Sequence, residues 1–167
     1  MADMIREALF STLASLRVQP ARILDLYAGT GSIGIEALSR GGAYADFVDH
    51  QNAACAVIRS NLAHTKFTDQ ARVHCMPIAQ FLRRPELPYD FVILDPPYAN
   101  LLIEETLGQL AASPLVQSQA IVVLGHWPRL EIGSRIGRLD LLKRRCHGDS
   151  CFSIFEAGVN SGDENRE

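Results

Sequence analysis

The chain has 167 residues, of which 47% are hydrophobic, and its formal net charge at pH 7 is -3. This length supports one sizeable core, so we predict a single domain over residues 1–157 and a disordered tail over residues 158–167. No apolar run reaches the roughly 18 residues that cross a bilayer, and no signal-type segment opens the chain. We therefore expect a cytoplasmic monomer with no membrane partner. The mild negative charge argues against a protein that binds nucleic acid over its whole surface.

The sequence contains four cysteines without C-x-x-C spacing and five scattered histidines. This pattern predicts that the protein binds no metal. We expect all the thiols to be reduced and mostly buried, including Cys146 and Cys151, which flank a predicted hairpin turn.

Predicted helices and strands alternate along the chain. Apolar residues at spacings of three and four predict a first helix over residues 1–16. Further helices are predicted after the glycines at 29–34 and over residues 52–63, 78–82 and 101–112. Strands are predicted over residues 22–27, 45–49, 71–75, 91–95, 120–124, 139–145 and 151–157. The alternation predicts an α/β fold with a mostly parallel, doubly wound sheet, helices on both faces and a C-terminal antiparallel hairpin.

The sequence Asp95-Pro96-Pro97-Tyr98 ends a buried apolar run. Two prolines stop a strand because proline fixes φ and donates no backbone hydrogen bond, so Asp95 is expected at the carboxyl edge of the sheet, where open α/β folds bind ligands. The Asp95 carboxylate and the Pro96 carbonyl can hold an exocyclic amine of a nucleobase with its lone pair towards an electrophilic methyl group, while Tyr98 stacks on the base. We predict Asp95, Pro96 and Tyr98 as catalytic and Pro97 as a substrate contact. The alternative is a rigid turn in which Asp95 caps the next helix.

A G-x-G-x-x-G pattern over residues 29–34 lies between a predicted strand and helix, which is typical of nucleotide sites. Asp25, just ahead of the glycines, would repel a pyrophosphate but attract the ammonium of a methionine group. Together with the DPPY motif, this favours S-adenosyl-L-methionine over a dinucleotide. Asp49 ends the second strand and can accept hydrogen bonds from ribose hydroxyls. The alternatives are a helix cap for Asp49 and a purely structural turn for the glycines.

Five segments together are similar to one known family. They are REALF at 6–10, LYAGTG at 26–31, GIEALSRG at 34–41, DPPY at 95–98 and HGDS at 147–150. Over residues 3–157 the chain resembles the bacterial 16S ribosomal RNA guanine-N2 methyltransferases. The resemblance implies a Rossmann-like class I methyltransferase fold with a seven-stranded sheet, S-adenosyl-L-methionine as cofactor, and methylation of guanine N2. It also implies rRNA or the small ribosomal subunit as partner.

The resemblance assigns roles to further positions. It implies a substrate contact at Arg6, and it implies cofactor contacts at Asp25, Tyr27, Ala28, Gly29, Gly31, Asp49 and the Ile78 amide. The sequence departs from the usual pattern of the family at three places. Pro77 occupies a place where the family often carries an acid, Gly125-His126-Trp127 stands where acidic residues are common, and the basic hairpin that usually precedes REALF lies ahead of the first residue of this sequence.

Other functions remain open on the sequence alone. The same DPPY chemistry also serves N6-adenine methylation of DNA or RNA. A cofactor-binding module without independent activity would carry the same glycine loop. An NAD-dependent oxidoreductase is a more distant alternative, because DPPY has no evident role in hydride transfer.

Overall fold

The computed structural model describes residues 1–97 and 102–160, and the strands of that part form one sheet. Their order is β3-β2-β1-β4-β5-β8-β7-β6. They are β1 (Arg22–Leu26), β2 (Tyr44–Asp49), β3 (Ala71–Cys75), β4 (Tyr89–Leu94), β5 (Val116–His126), β6 (Arg135–Ile136), β7 (Leu139–His147) and β8 (Ser150–Ala157). β1 to β5 pair in parallel, and β8, β7 and β6 continue the sheet with antiparallel pairing. The predicted α/β fold with its C-terminal hairpin is confirmed.

Helices cover both faces of the sheet because successive strand residues point to opposite sides. In β1, Ile23 packs with α1 (Asp3–Ser15), α2 (Ser32–Ser39) and α3 (Asn52–Thr65). Its neighbour Leu24 packs on the other face, in the cluster that includes α4 (Ile78–Phe81) and α5 (Ile103–Ala112). The central strands are therefore apolar on both sides, which explains why they read as nearly continuous hydrophobic runs.

The sheet differs from the predicted one in strand number and in several boundaries, of which the start of β5 differs most. Its eighth strand is the two-residue β6, which exists only through pairing with β7. β5 begins at Val116 rather than at residue 120, because Val116 pairs with Tyr89 before a register shift of the β4–β5 ladder. Gln119 lies at that irregularity with a φ of 67°. The polar residues 117–119 hide this part of the strand from an apolar pattern.

The expectation that all four cysteines are reduced is wrong for one pair. Cys146 and Cys151 lie opposite each other in the β7–β8 hairpin and form a disulfide, with 4.0 Å between their Cα atoms. The two-residue turn at Gly148 and Asp149 sets this register. Cys55 and Cys75 are free.

The described part of the chain ends at residue 160, three residues after β8. Gly158 and Asn160, at the start of the tail predicted to be disordered, hydrogen-bond to Arg138 and Ser118. Residues 161–167 lie outside the described part. No helix within the described part is both long and apolar enough to cross a membrane.

The strand order places three carboxyl ends side by side. β1 lies between β2 and β4, so the residues that leave these strands meet at one edge of the sheet, at the point where the order reverses. The chain turns sharply out of β1 because Tyr27, Gly29 and Gly31 all adopt left-handed backbone conformations, with φ of 53°, 60° and 77°. This turn leads directly into α2.

Candidate active site

A cleft of about 540 Å³ opens at the carboxyl edge of β1, β2 and β4. Eight of the residues predicted from the sequence line it, namely Asp25, Tyr27, Ala28, Gly29, Asp49, Asp95, Pro96 and Pro97. They come from three strand ends, and the first and last of them, Asp25 and Pro97, are 72 positions apart in the sequence. The fold therefore joins the DPP segment and the glycine loop in one space.

Asp25 lies at the bottom of this cleft and is only 1% exposed. Its Oδ2 accepts a hydrogen bond of 3.1 Å from the Gly34 backbone N–H, at the start of α2. Burial raises the pKa of the Asp25 carboxyl well above its usual range, although the Gly34 hydrogen bond works in the opposite direction. A Cβ at Gly34 would lie 2.9 Å from Asp25 Oδ2, so glycine is needed for the helix to approach this closely. The buried carboxyl therefore favours a cationic partner in the cleft.

Asp49 links the end of β2 to the glycine loop. Its Oδ2 accepts the Gly29 N–H at 3.0 Å, and its Oδ1 accepts the Gln51 N–H at 3.0 Å. Each carboxylate oxygen has a further lone pair for a hydroxyl donor. The loop is held from the other side by Asn61, whose side-chain amide donates to the Thr30 carbonyl at 2.9 Å. Asp49 thus holds the glycine loop in place and also offers hydrogen-bond acceptors to the cleft.

Asp95 follows β4 and lines the same cleft as Asp25. Its Oδ2 accepts a hydrogen bond of 2.6 Å from the Met1 ammonium, and its side chain is 16% exposed. Its Oδ1 packs against Gly125 in β5, where a Cβ would overlap with the carboxylate. The carboxylate therefore already holds an N–H donor, and its position depends on the empty space at Gly125.

A second cavity of about 370 Å³ adjoins the cleft and shares Tyr27, Asp49 and His50 with it. Its other walls come from Pro77, Ile78 and Ala79 ahead of and within α4, and from Leu102, Glu105, Thr106 and Gln109 on or next to α5. We call the two adjoining cavities together the groove. An elongated ligand that filled both would contact the glycine loop at one end and Ile78 at the other.

Comparison with known proteins agrees with this geometry. Residues 1–156 match the family model described as conserved hypothetical protein 95. The chain belongs to this family. Its members are class I S-adenosylmethionine-dependent methyltransferases, as the motifs predicted.

Three similar proteins illustrate the membership in the conserved hypothetical protein 95 family. Ribosomal RNA small subunit methyltransferase D of Escherichia coli K12 is 36% identical over 120 residues, which cover 72% of this chain and 60% of the relative. YlbH of Bacillus subtilis is 27% identical over 157 residues, 92% of this chain and 85% of the relative. A solved structure described as a conserved hypothetical protein from Streptococcus pyogenes is 31% identical with a TM-score of 0.83, and covers 94% of this chain and 96% of its own.

Two of the predicted site residues do not line the cleft. Gly31 immediately precedes α2 and packs towards Phe47 and Ile58 instead. Arg6 lines another cavity beside α2 and α3 and pairs with Asp3 at 3.1 Å. Ile78 lines the second, adjoining cavity. Tyr98 lies outside the described residues.

The sequence analysis missed several residues of the site. Thr30, Ser32, His50 and Gln51 line the cleft, and each is adjacent or nearly adjacent to a predicted residue, so the motifs could have been extended to include them. Gly125 carried no comparable signal. Its contact with Asp95 depends on the pairing of β5 with β4, which the local sequence does not encode.

Proposed function

We propose that this chain transfers a methyl group from S-adenosyl-L-methionine to the exocyclic N2 amine of a guanine in 16S rRNA. The observation that supports this most strongly is that Asp95 and Pro96 face the same cleft as Asp25, the glycine loop and Asp49. A methyl donor on one wall and an amine acceptor on the other would then be held within one pocket. The sheet provides both from neighbouring strand ends.

The donor set of the groove fits S-adenosyl-L-methionine. Asp25 would face the methionine ammonium, Gly29 would let the backbone approach the ligand, and Asp49 would accept from the ribose hydroxyls. Tyr27, Ala28 and Ile78 would contact the remainder. A Cβ at Gly34 would collide with Asp25 and Phe47, so the close approach of helix and carboxyl in this cradle depends on glycine. When bound, the cofactor supplies an electrophilic methyl group.

Asp95 would orient the acceptor amine. Its carboxylate and the Pro96 carbonyl would accept the two N–H hydrogens of guanine N2, which directs the nitrogen lone pair away from both. The amine would take the place that the Met1 ammonium occupies at Asp95. As the N–CH₃ bond forms and the S–CH₃ bond breaks, the nitrogen becomes acidic and its proton passes to Asp95 or to water. Positioning of this kind can supply about 7–11 kcal/mol of the barrier.

The choice of rRNA as substrate follows the named relative. The Escherichia coli protein is named a ribosomal RNA small subunit methyltransferase, and this chain spans 60% of its length. A guanine in folded rRNA must be unpaired or turned out of the helix to reach a cleft of this depth. Pro97 would lie against the extruded base, and Tyr98 would stack on it. Arg6 would contact RNA outside the cleft.

Replacement of Asp95 tests the proposed chemistry. Asp95→Ala should lower methyl transfer by about 100-fold or more, because the amine loses the acceptor that orients it. Labelled S-adenosyl-L-methionine is incubated with unmodified small ribosomal subunits, free rRNA or DNA, and the product nucleoside is identified by mass spectrometry. Any purification tag is placed at the C-terminus, because Met1 lines the cleft.

The transfer assay, combined with a measurement of cofactor binding, separates the alternative functions. Cofactor binding is followed by the shift in melting temperature, which S-adenosyl-L-methionine should raise in both the native protein and Asp95→Ala, and which NAD should leave unchanged. N6-methyladenosine as product would replace guanine by adenine as the target. Strong cofactor binding without transfer to any acceptor would indicate a binding module, and full turnover by Asp95→Ala would overturn the role of Asp95.

A further inference from the structure

An exposed tryptophan lies next to Asp95, at the rim of the cleft. Trp127 meets Leu130 and the cleft residues Pro96 and Pro97 around a small hollow, and we call this group of four residues the tryptophan platform. Trp127 is 39% exposed although it is a large apolar side chain that usually packs inside a domain. Gly125, two residues earlier, touches Asp95, so the platform directly borders the proposed amine site. The methyl transfer described above gives no role to Trp127.

The backbone under the platform is held firmly. The carbonyl of Trp127 accepts hydrogen bonds from His126 Nδ1 at 2.9 Å and from the Leu130 N–H at 3.2 Å. Arg144, from β7, donates to the carbonyls of Pro128 at 2.7 Å and Leu130 at 3.2 Å. These bonds satisfy three of the four backbone carbonyls of the loop, residues 127–130. The exposed ring is therefore carried on a fixed loop, which lowers the entropy that a ligand must remove on binding.

His126 connects this loop to the sheet. Its Nε2 lies 2.8 Å from Ser153 Oγ, and its Nδ1 faces a carbonyl that can only accept. The pKa of His126 is lowered by burial, so the ring is neutral, with its proton on Nδ1 and Nε2 accepting from the serine hydroxyl. The loop is thus anchored to β8 by a neutral side chain rather than by a charge.

Two cations lie at the platform. Arg129 belongs to the same loop and is exposed, and Arg144 of β7 donates to carbonyls of that loop. Arg145, the next residue of β7, donates to Thr12 Oγ1 in α1 instead. An aromatic ring beside cations is the combination by which proteins hold single-stranded nucleic acid, since the bases stack while the phosphates are neutralised. An apolar peptide would gain nothing from the cations.

We propose that Trp127 stacks on an unpaired nucleobase of the RNA substrate, next to the target nucleotide that enters the cleft. This proposal rests on the function proposed above, because it takes the RNA and the position of the target base from it. The tryptophan platform would hold the neighbouring nucleotide while Asp95 holds the target amine. Trp127 is then a substrate contact that keeps the target base extruded.

The test uses a property of the sequence. Trp127 is the only tryptophan in the chain, so tryptophan emission reports on this ring alone. The native protein is titrated with a single-stranded oligoribonucleotide and with a duplex RNA of equal length. Stacking predicts quenched emission and protection from acrylamide with the single strand. Unchanged emission on binding, or the same change with the duplex, overturns the proposal.

Three variants separate stacking from simple exposure. Trp127→Ala should weaken binding of the single strand about 5- to 100-fold and raise KM for RNA more than it lowers kcat. Trp127→Phe should stay within about threefold of the native protein because it keeps a ring. Leu87→Ala removes an even more exposed apolar side chain, 67% against 39% for Trp127, at the other end of the strands and should change nothing. Native affinity in Trp127→Ala overturns the proposal.

The two proposals fail separately. A native protein that methylates rRNA while its tryptophan emission and the Trp127→Ala affinity are unaffected refutes the stacking contact alone. A native protein whose emission is quenched by the single strand but which transfers no methyl group to any acceptor refutes the methyl transfer and leaves the stacking contact supported.

Discussion

Gly125 illustrates how a residue without a side chain can position a catalytic one. A Cβ at this place in β5 would overlap with Asp95 Oδ1, so we expect Gly125→Ala to push the carboxylate out of line with the amine. Displacements of about 1 Å near a reacting group can cost about 100-fold in rate. The predicted result is a fall in kcat of that order with unchanged affinity for S-adenosyl-L-methionine, measured by transfer kinetics and calorimetry.

Gly108 in α5 provides the matched control. A Cβ there meets nothing within 4 Å, so Gly108→Ala should leave transfer unchanged and stabilise the helix by about 0.5–1 kcal/mol. Full activity in Gly125→Ala would mean that the carboxylate can shift without loss. Equal losses in both variants would point to a general effect on the sheet rather than on Asp95.

Asp25 makes a different prediction, because its burial has a cost. The pKa of its carboxyl is raised by desolvation, so the folded protein loses stability as pH rises from about 4, where the unfolded carboxyl ionises, through the raised value. Asp25→Asn removes this loss. The variant should therefore melt at a higher temperature than the native protein at neutral pH, and the difference should vanish near pH 4.

The same change should weaken the binding of S-adenosyl-L-methionine by about tenfold or more, because a buried partner for the ammonium is lost. Calorimetric titration of both proteins at neutral pH measures this loss. A variant that is destabilised at neutral pH, or that binds the cofactor normally, would contradict the assignment of Asp25 as a buried carboxylate for a cation.

Four strands are tied together by a second buried aspartate. Asp46 in β2 accepts hydrogen bonds from Tyr44 at 2.9 Å, from Tyr89 in β4, and from His74 in β3 at 2.8 Å. Arg22 of β1 lies 3.7 Å from the same carboxylate. Burial alone would raise the pKa of Asp46, but the hydrogen bonds from His74, Tyr89 and Tyr44 outweigh it and lower the pKa. Burial, together with the hydrogen bond to Asp46 and the negative charge of that carboxylate, raises the pKa of Tyr44 to about 12.

The sign of this shift predicts the behaviour of Asp46→Asn. A lowered pKa means that the carboxylate stabilises the fold above about pH 4 and that this contribution disappears as pH falls through the lowered value. The variant should lose about 3 kcal/mol at neutral pH, because one partner of a buried charged network is removed. Urea denaturation at pH 7 measures the loss, and the gap to the native protein should narrow in acid.

Asp69→Asn is the control for this experiment, since Asp69 is exposed in a surface turn. It should change the free energy of unfolding by less than about 0.5 kcal/mol. If Asp46→Asn changed the free energy of unfolding as little as Asp69→Asn, the network would orient the strands without stabilising the fold.

At the scale of elements, buried apolar runs predicted the strands well because both faces of the central sheet are covered. β3 was predicted with its observed bounds, and β2 differed by one residue. The polar start of β5 and the two residues of β6 could not be predicted, because both depend on a partner strand. The Asp46 network was missed for the same reason. The side chains that hydrogen-bond to Asp46 lie up to 43 positions from it and meet it only in the folded sheet.

In the whole molecule, the two buried aspartates have opposite effects on the same fold. Asp25, at the carboxyl edge of the sheet, lies in the cleft and costs stability at neutral pH, whereas Asp46, nearer the starts of the strands, adds to it. Without a cationic ligand, the buried Asp25 carboxyl lowers the stability of the fold at neutral pH. The packing of the rest of the sheet must offset this loss. The motifs predicted Asp25 at the carboxyl edge of the sheet because ligand-binding residues concentrate there. They gave no indication of the network around Asp46.

The strand order also determines how the sheet ends. β3 forms one edge with five residues and β6 forms the other with two, and each edge carries an exposed arginine, Arg72 or Arg135. A strand from a neighbouring molecule would meet a positive charge at either side, and the stretch of β7 that extends beyond β6 adds Lys143, Arg144 and Arg145. Chains crowded together during synthesis are thereby discouraged from growing into an extended, intermolecular sheet.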